Sequence, residues 1–192
     1  MVPRLTPDPT GLPAHIRIKP LGPQHDRAAF VCSKPHLTHY FTGDAAAGRT
    51  LDQDMKYGLA RPFVLVAEAG VEVLGYFTLC NQSIPKDSLP KKVATKLGYR
   101  DVPTILLGRM AVSERLAGQG LGTKLLMAAL LEAYKITDGG KGCYAVVLDA
   151  GDESLLQWYG KRGFAPAPTA QQPRRMVMSM AVIHENIVKH LP

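Results

Sequence analysis

Gly118, Gly120 and Gly122 alternate along Arg115-Leu-Ala-Gly118-Gln119-Gly120-Leu121-Gly122-Thr123, between an apolar run at 104–112 and a segment of helical periodicity. A chain with this pattern is committed to a strand, a tight loop and a helix in succession. Glycine lets the backbone approach a ligand and turn its N–H groups inward, and a helix start adds partial positive charge. Together they make a cradle for phosphate. An ordinary strand-to-helix turn is the plainer reading, and three alternating glycines argue against it. A P-loop is excluded, because Thr123-Lys124 follows Gly122 in the wrong order and the upstream glycine is missing. A dinucleotide fingerprint needs G-x-G-x-x-G, one residue more than is present, and normally turns directly off its strand. Here Ser113, Glu114 and Arg115 intervene, yet Asp149 at the end of the next strand stands where a ribose contact would, so that reading stays open.

The 192 residues, 46% hydrophobic and 20% charged, suit one domain with its own core and exclude a disordered or fibrous chain. Residues 1–14 are Pro-rich and read as a flexible lead, leaving 15–192 as a single domain. No apolar run approaches the roughly 18 residues of a membrane span, and the N-terminus lacks a signal-peptide core, so no membrane partner is expected. Cys32, Cys80 and Cys143 show neither disulfide nor metal-ligand spacing, which points to a reducing cytoplasm. Cys32 and Cys143 read as small buried apolar residues. His36 and His39 share a helix face without a ligand set and read as a solvated pair, so no metal is expected. The net charge of +7 favours an anionic partner without naming one.

Periodicity places a first strand at 15–19 and a helical region at 23–59, broken at Lys34-Pro35 and Thr42-Gly43. Within it Asp44 would cap a helix reaching Tyr57, stopped by Gly58. Strands at 63–67 and 73–79 form a hairpin. Ser88 could cap a short helix in the cationic stretch 85–101. Residues 104–112 form a central strand, apolar on both faces at Ile105, Leu106 and Leu107. A helix follows at 119–134, a buried strand at 143–148, a helix capped by Asp152 through Lys161, and a late strand at 176–183 before an amphipathic tail. The class is α/β.

Arg115-x-x-Gly118-x-Gly120, followed at the proper separation by Leu156-Gln-Trp158-Tyr159-Gly-Lys-Arg-Gly163-Phe164, resembles the GNAT N-acetyltransferases, and the order of elements from 15 to 183 matches that family. The resemblance implies a mixed, mostly antiparallel sheet splayed between its fourth and fifth strands, with helices on both faces. It implies acetyl-CoA as donor, its pantetheine along Met110, Ala111 and Val112. The pyrophosphate would lie on Arg115, Gly118, Gln119, Gly120, Leu121, Gly122 and Thr123. Tyr159 falls where the family's general acid sits, a phenol of pKa ~10 able to protonate a leaving thiolate. Its alternative is a packing role beside Trp158.

Many members carry a carboxylate on the fourth strand to deprotonate the amine, but 102–112 holds no Asp, Glu or His. A lysine amine of pKa ~10.4 would need that base, whereas an α-amine near ~8, or the lower one of an aminoacyl ester, would not. Lys86, Lys91, Lys92, Lys96 and Arg100 form a cationic block beside Tyr99, read either as a solvated helix face or as a phosphate-backbone contact. More narrowly, Phe30-Val-Cys32-Ser-Lys34-Pro-His-Leu37, Gly75-Tyr76-Phe-Thr-Leu79, Leu89-Pro90-Lys91-Lys92 and Leu107-Gly-Arg109-Met-Ala-Val112 resemble the TacT-type toxins of the family. That resemblance implies an aminoacyl-tRNA acceptor held by Lys34, Lys91, Lys92, Arg100 and Arg109, a homodimer, and a small antitoxin of ribbon-helix-helix type. A family member acting on a small amine or a protein N-terminus is the competing expectation, and a non-catalytic nucleic-acid or CoA-sensing module a third.

Overall fold

The computed structural model describes residues 12–13, 15–67 and 70–190; apart from Leu12 and Pro13, the expected lead at 1–14 lies outside them or, at Ala14, is undescribed. A seven-stranded mixed sheet has the order β1-β2-β3-β4-β5-β7-β6. The strands are β1 (Ile16–Pro20), β2 (Arg61–Ala67), β3 (Val73–Pro85), β4 (Asp101–Val112), β5 (Ala145–Asp149), β6 (Ala165–Pro166) and β7 (Arg175–Ser179). This is the α/β class expected. The chain forms two compact units. The first takes the described residues through Leu79, Arg109–Ala129 and the residues from Lys189; the second takes Cys80–Gly108 and Leu130–Val188.

In the first unit β1 and β2 pair antiparallel, as do β2 and the start of β3, with an irregularity between Leu65 and Val66. Helix α1 (Pro35–Thr42) opens with proline in its first turn, where the missing N–H costs no bond, and closes on Gly43 at φ +90°. Its Tyr40 and Phe41 are buried, Phe41 stacked on Tyr76 at 4.2 Å with Phe30 edge-on to both. Truncating a side chain such as Phe41 in this core costs about 3–5 kcal/mol.

The helix expected from Asp44 to Tyr57 is two pieces. Asp44 accepts from the Ala46 N–H and caps only a 3-10 turn at Ala45–Ala47, which Gly48 ends at φ +110°. Thr50 then starts α2 (Leu51–Lys56) through a reciprocal cap with Gln53. His39 stays solvent-accessible, and its Nδ1 lies 3.0 Å from a carboxylate oxygen of the equally accessible Asp44.

In the second unit β4 and β5 pair parallel at Thr104↔Ala145, Ile105↔Val146 and Leu106↔Val147, and β5 pairs antiparallel with β7 along its length. Pairing to β5 covers only that short stretch of β4, so the rest of the strand runs on without this partner, as the splay requires. Cys143 is half-exposed, not buried as expected, and burial of its surroundings still raises its thiol pKa. Ser88 caps no helix. Its hydroxyl donates to the Pro85 carbonyl in a 3-10 turn, and α3 (Lys91–Ala94) starts after Pro90 with no side-chain cap. Helix α4 (Leu121–Ile136) runs through both units, and α5 (Glu153–Gly160) starts where Asp152 accepts from the Leu155 N–H at 3.0 Å. The strand expected at 176–183 stops at Ser179, whose hydroxyl caps α6 (Met180–Asn186). An apolar run suits a buried strand and a buried helix face equally, and here a local cap decides.

Candidate active site

The first unit holds the end of β4 and the glycine loop. The Ala111 carbonyl lies so near β3 that a Cβ on Gly75 would sit 3.0 Å from its oxygen. Ser113 N–H donates to Leu74 O and Glu114 N–H to Val31 O, pinning the loop's entry. A 3-10 turn at Glu114–Leu116 leads to Gly118 at φ +78° and Gly120 at φ +76°, values that L side chains rarely adopt, with open space where a Cβ would project. Leu121 is buried and anchors the start of α4, and the Thr123 and Lys124 N–H groups reach back to Gly120 O. The amides of Leu121 and Gly122 precede that ladder and are directed out of the helix start. Main-chain donors in this arrangement, at the positive end of a sixteen-residue helix, are able to cradle an anion. The Arg115 guanidinium pairs with Glu72 beside it, both exposed.

Arg109 is the lone cation within 102–112 of β4. Its guanidinium carbon lies 3.7 Å from the Tyr40 ring centroid, its Nη1 lies 3.9 Å from the Asp54 carboxylate, and its backbone N–H donates to the Thr78 hydroxyl at 3.1 Å. Asp54 is buried, accepts from the Tyr40 hydroxyl at 2.9 Å and is also paired with Arg49. Burial and the Asp54 carboxylate push the Tyr40 phenol far above its ordinary pKa, so it stays a donor. Sequence reasoning missed Arg49, Asp54 and Tyr40. Lys34 precedes α1 in this unit, its side chain exposed.

In the second unit Tyr159, only 8% exposed, lies edge-on to Trp158 and to Phe164. Burial pushes its phenol up to about 12 against a smaller opposing pull from Arg162, whose guanidinium covers Trp158 at 3.6 Å. Lys91, Lys92 and Arg100 are exposed on and after α3, near an exposed Tyr99.

A sequence model of the acetyltransferase (GNAT) domain matches residues 60–166. The chain belongs to the GNAT acetyltransferase family. This acetyltransferase is 30% identical over 175 residues to a Sinorhizobium fredii protein named "Probable toxin TacT", covering 86% of this chain and 92% of that one. It is 28% identical over 144 residues to the "tRNA-acetylating toxin" of Mycobacterium tuberculosis, covering 75% and 81%. Its fold matches that of AtaT complexed with acetyl-methionyl-tRNAfMet at a TM-score of 0.77 and 24% identity, over 88% of this chain and 98% of that one.

In this acetyltransferase the dinucleotide reading fails. Asp149 is held by Arg175 through two hydrogen bonds of 2.8 Å, which leaves it occupied in structure rather than aimed at a ribose. The second unit of the acetyltransferase also has a cavity of about 790 Å³, walled by Lys92, Lys96, Tyr134, Tyr144, Met180 and His184. Among the described residues no group of three His, Cys, Asp or Glu could hold a metal, and no helix is long and apolar enough to cross a membrane.

Proposed function

We propose that this chain transfers acetyl from acetyl-CoA to the α-amine of an aminoacyl-tRNA and thereby acts as the toxin of a toxin–antitoxin pair. The similarity to the two toxin relatives, over 86% and 75% of this chain, carries this reading. The chemistry of β4 agrees with it, because a strand without a carboxylate or histidine from Val102 to Val112 suits an amine that is already largely neutral near pH 8.

The residues fit the donor. Main-chain N–H groups from Gln119 to Gly122, with Gly118 and Gly120 keeping the surface clear, would hold its diphosphate beside Thr123. The backbone of Met110, Ala111 and Val112 would pair with the pantetheine arm, and Arg115, paired with Glu72, would add positive potential at the loop. The donor supplies an activated acetyl thioester. Tyr159 holds a proton on its Oη at every physiological pH and is the candidate acid for the departing thiolate. Lys34, Lys91, Lys92, Arg100 and Arg109 would contact RNA phosphates. A homodimer, a ribbon-helix-helix antitoxin and a cytoplasmic setting complete the proposal. Residues 15–192 are read as one domain, a reading supported by β3, β4 and α4, each of which contributes residues to both units.

Incubating the protein with labelled acetyl-CoA and a mixture of charged and uncharged tRNA tests this reading. Label on charged tRNA alone supports it. Label on a small amine or a protein N-terminus with none on RNA overturns it in favour of the competing acetyltransferase. Acetyl-CoA binding without transfer to any acceptor leaves only a sensing module.

A further inference from the structure

The cluster around Asp54 has one charge too many. Arg49 and Arg109 share a single buried carboxylate, and the Tyr40 hydroxyl already donates to that carboxylate. The nearby acids are engaged elsewhere: Asp52 holds Arg27 through two hydrogen bonds, and Asp44 faces His39. Two guanidinium groups against one carboxylate leave a net positive charge in a partly desolvated place, where an anion interacts more strongly than it would in water. Both cations stay accessible, with the Arg49 side chain 52% and the Arg109 side chain 34% exposed. Arg109 is also oriented. Close packing over the Tyr40 ring at 3.7 Å restricts how its guanidinium can turn, and its single carboxylate contact at 3.9 Å leaves donor capacity for a second anion.

We propose that Arg49 and Arg109, organised by Asp54 and Tyr40, form an anion subsite that takes a phosphate group of the acceptor. Arg109 lies on the strand that carries Met110, Ala111 and Val112, one residue before the segment assigned to the acyl donor, and Arg49 lies just ahead of α2. A planar guanidinium on a strand is suited to a phosphodiester, which it grips in two parallel hydrogen bonds. Asp54 is a positioning residue: it touches no substrate and holds both arginines. This inference rests on the proposed acceptor being an RNA, and it assigns to these side chains the recognition of a phosphate near the amine, in addition to bulk attraction by the surface lysines.

Steady-state kinetics of the full chain with two acceptors decide it. One is aminoacyl-tRNA and the other an α-amino ester of adenosine that carries no phosphate. Arg49→Gln and Arg109→Gln should each raise KM for aminoacyl-tRNA roughly 10- to 100-fold, the equivalent of one charge-assisted hydrogen bond, with a smaller change in kcat. KM for the phosphate-free ester and the calorimetric affinity for acetyl-CoA should stay at the unmodified protein's values. An equal loss on both acceptors, or no loss on either, overturns the proposal. Thermal unfolding with inorganic phosphate, at saturating CoA to fill the glycine loop, gives a second readout. Phosphate should raise the Tm of the unmodified protein, and either substitution should abolish the increment; an increment that survives both substitutions overturns the subsite. If the unmodified protein acetylates neither acceptor, the proposed function fails and the phosphate titration alone decides the subsite.

Discussion

Two groups of cations in this chain solve the same electrostatic problem in opposite ways. Arg109 and Arg49 in the first unit are tied to Asp54, and Arg109 is pressed on an aromatic ring. Lys91, Lys92, Lys96 and Arg100 in the second unit stand exposed on and after a four-residue helix, beside a Tyr99 that is 76% exposed. An oriented arginine has already lost its rotamer freedom on folding, so gripping a phosphate costs little more. A lysine on a short exposed helix keeps that freedom and acts as a diffuse charge, screened by salt within about 10 Å at ordinary ionic strength. On the proposed function the first group would recognise a position and the second would attract a polyanion. Lys86 marks the boundary between these behaviours, since its ammonium folds back onto the Leu97 carbonyl at 3.3 Å and adds less to the outward charge.

Tyr159→Phe sets the scale for this contrast. If the phenol supplies the proton, turnover should fall about 100-fold or more on every acceptor, phosphate-bearing or not, with acetyl-CoA affinity unchanged. That uniform loss separates chemistry from either kind of recognition. The direction of the phenol's shift has its own consequence. Raised to about 12 by burial, Tyr159 stays protonated as pH climbs, so kcat should not decline on the alkaline side until the pH nears that value. A decline setting in near pH 9 in the unmodified protein, and absent from Tyr159→Phe, would assign Tyr159 an ordinary or lowered pKa and refute the buried acid.

Asp54→Asn tests orientation against charge directly. The substitution removes a negative charge from the cluster, so simple electrostatics demands tighter RNA binding. Loss of orientation demands weaker binding, because Arg49 and Arg109 then lose the carboxylate they share, and only the Tyr40 ring still restrains Arg109. We expect KM for aminoacyl-tRNA to rise several-fold, with about 1–2 kcal/mol of stability lost in urea unfolding as a buried pair becomes a neutral contact. A fall in KM would mean that the first group, too, works by charge alone.

The glycine loop, its neighbouring strand and the Asp152 cap were legible in the sequence because each is a local signal with a short reach: alternating glycines, a continuous apolar run, and a carboxylate one residue ahead of a helix. Asp54 was not. In α2 it alternates with Asp52 on a short polar helix, and only the tertiary approach of Tyr40, Arg49 and Arg109 makes one of the two acids buried and the other exposed. The one available hint was Arg109 itself, a single cation in an otherwise uncharged stretch of central strand. Such a residue needs a partner when folded, although its own position does not reveal which one.

Replacing Lys91 and Lys92 with glutamine should lower the slope of log affinity for RNA against log salt by about 1.5, near 0.7–0.9 for each phosphate that is no longer neutralised. Substitution at Arg109 should instead lower affinity by a factor that exceeds the loss expected of one surface charge. An unchanged slope in the double lysine variant would remove the second group from the RNA surface and leave the arginine cluster to account for binding alone.

The smallest effect we expect comes from Ser179→Ala. Ser179 Oγ accepts from the Val182 N–H at 3.3 Å, a long cap bond, so its removal should cost no more than about 1 kcal/mol. The helix it starts carries Met180 and His184 into the wall of the cavity that Lys92 and Lys96 also line, and Met180 packs so tightly that a Cβ on Gly140 would come within 2.7 Å of its own. Loosening this wall should leave KM for aminoacyl-tRNA and the salt slope unaltered, because a diffuse charge does not need a rigid backing. If the variant keeps its fold, judged by circular dichroism, yet binds RNA several-fold more weakly, then the lysines depend on fixed geometry after all. In that case orientation would govern both groups, and the second would recognise its ligand through the cavity behind Lys92 and Lys96 instead of merely attracting it.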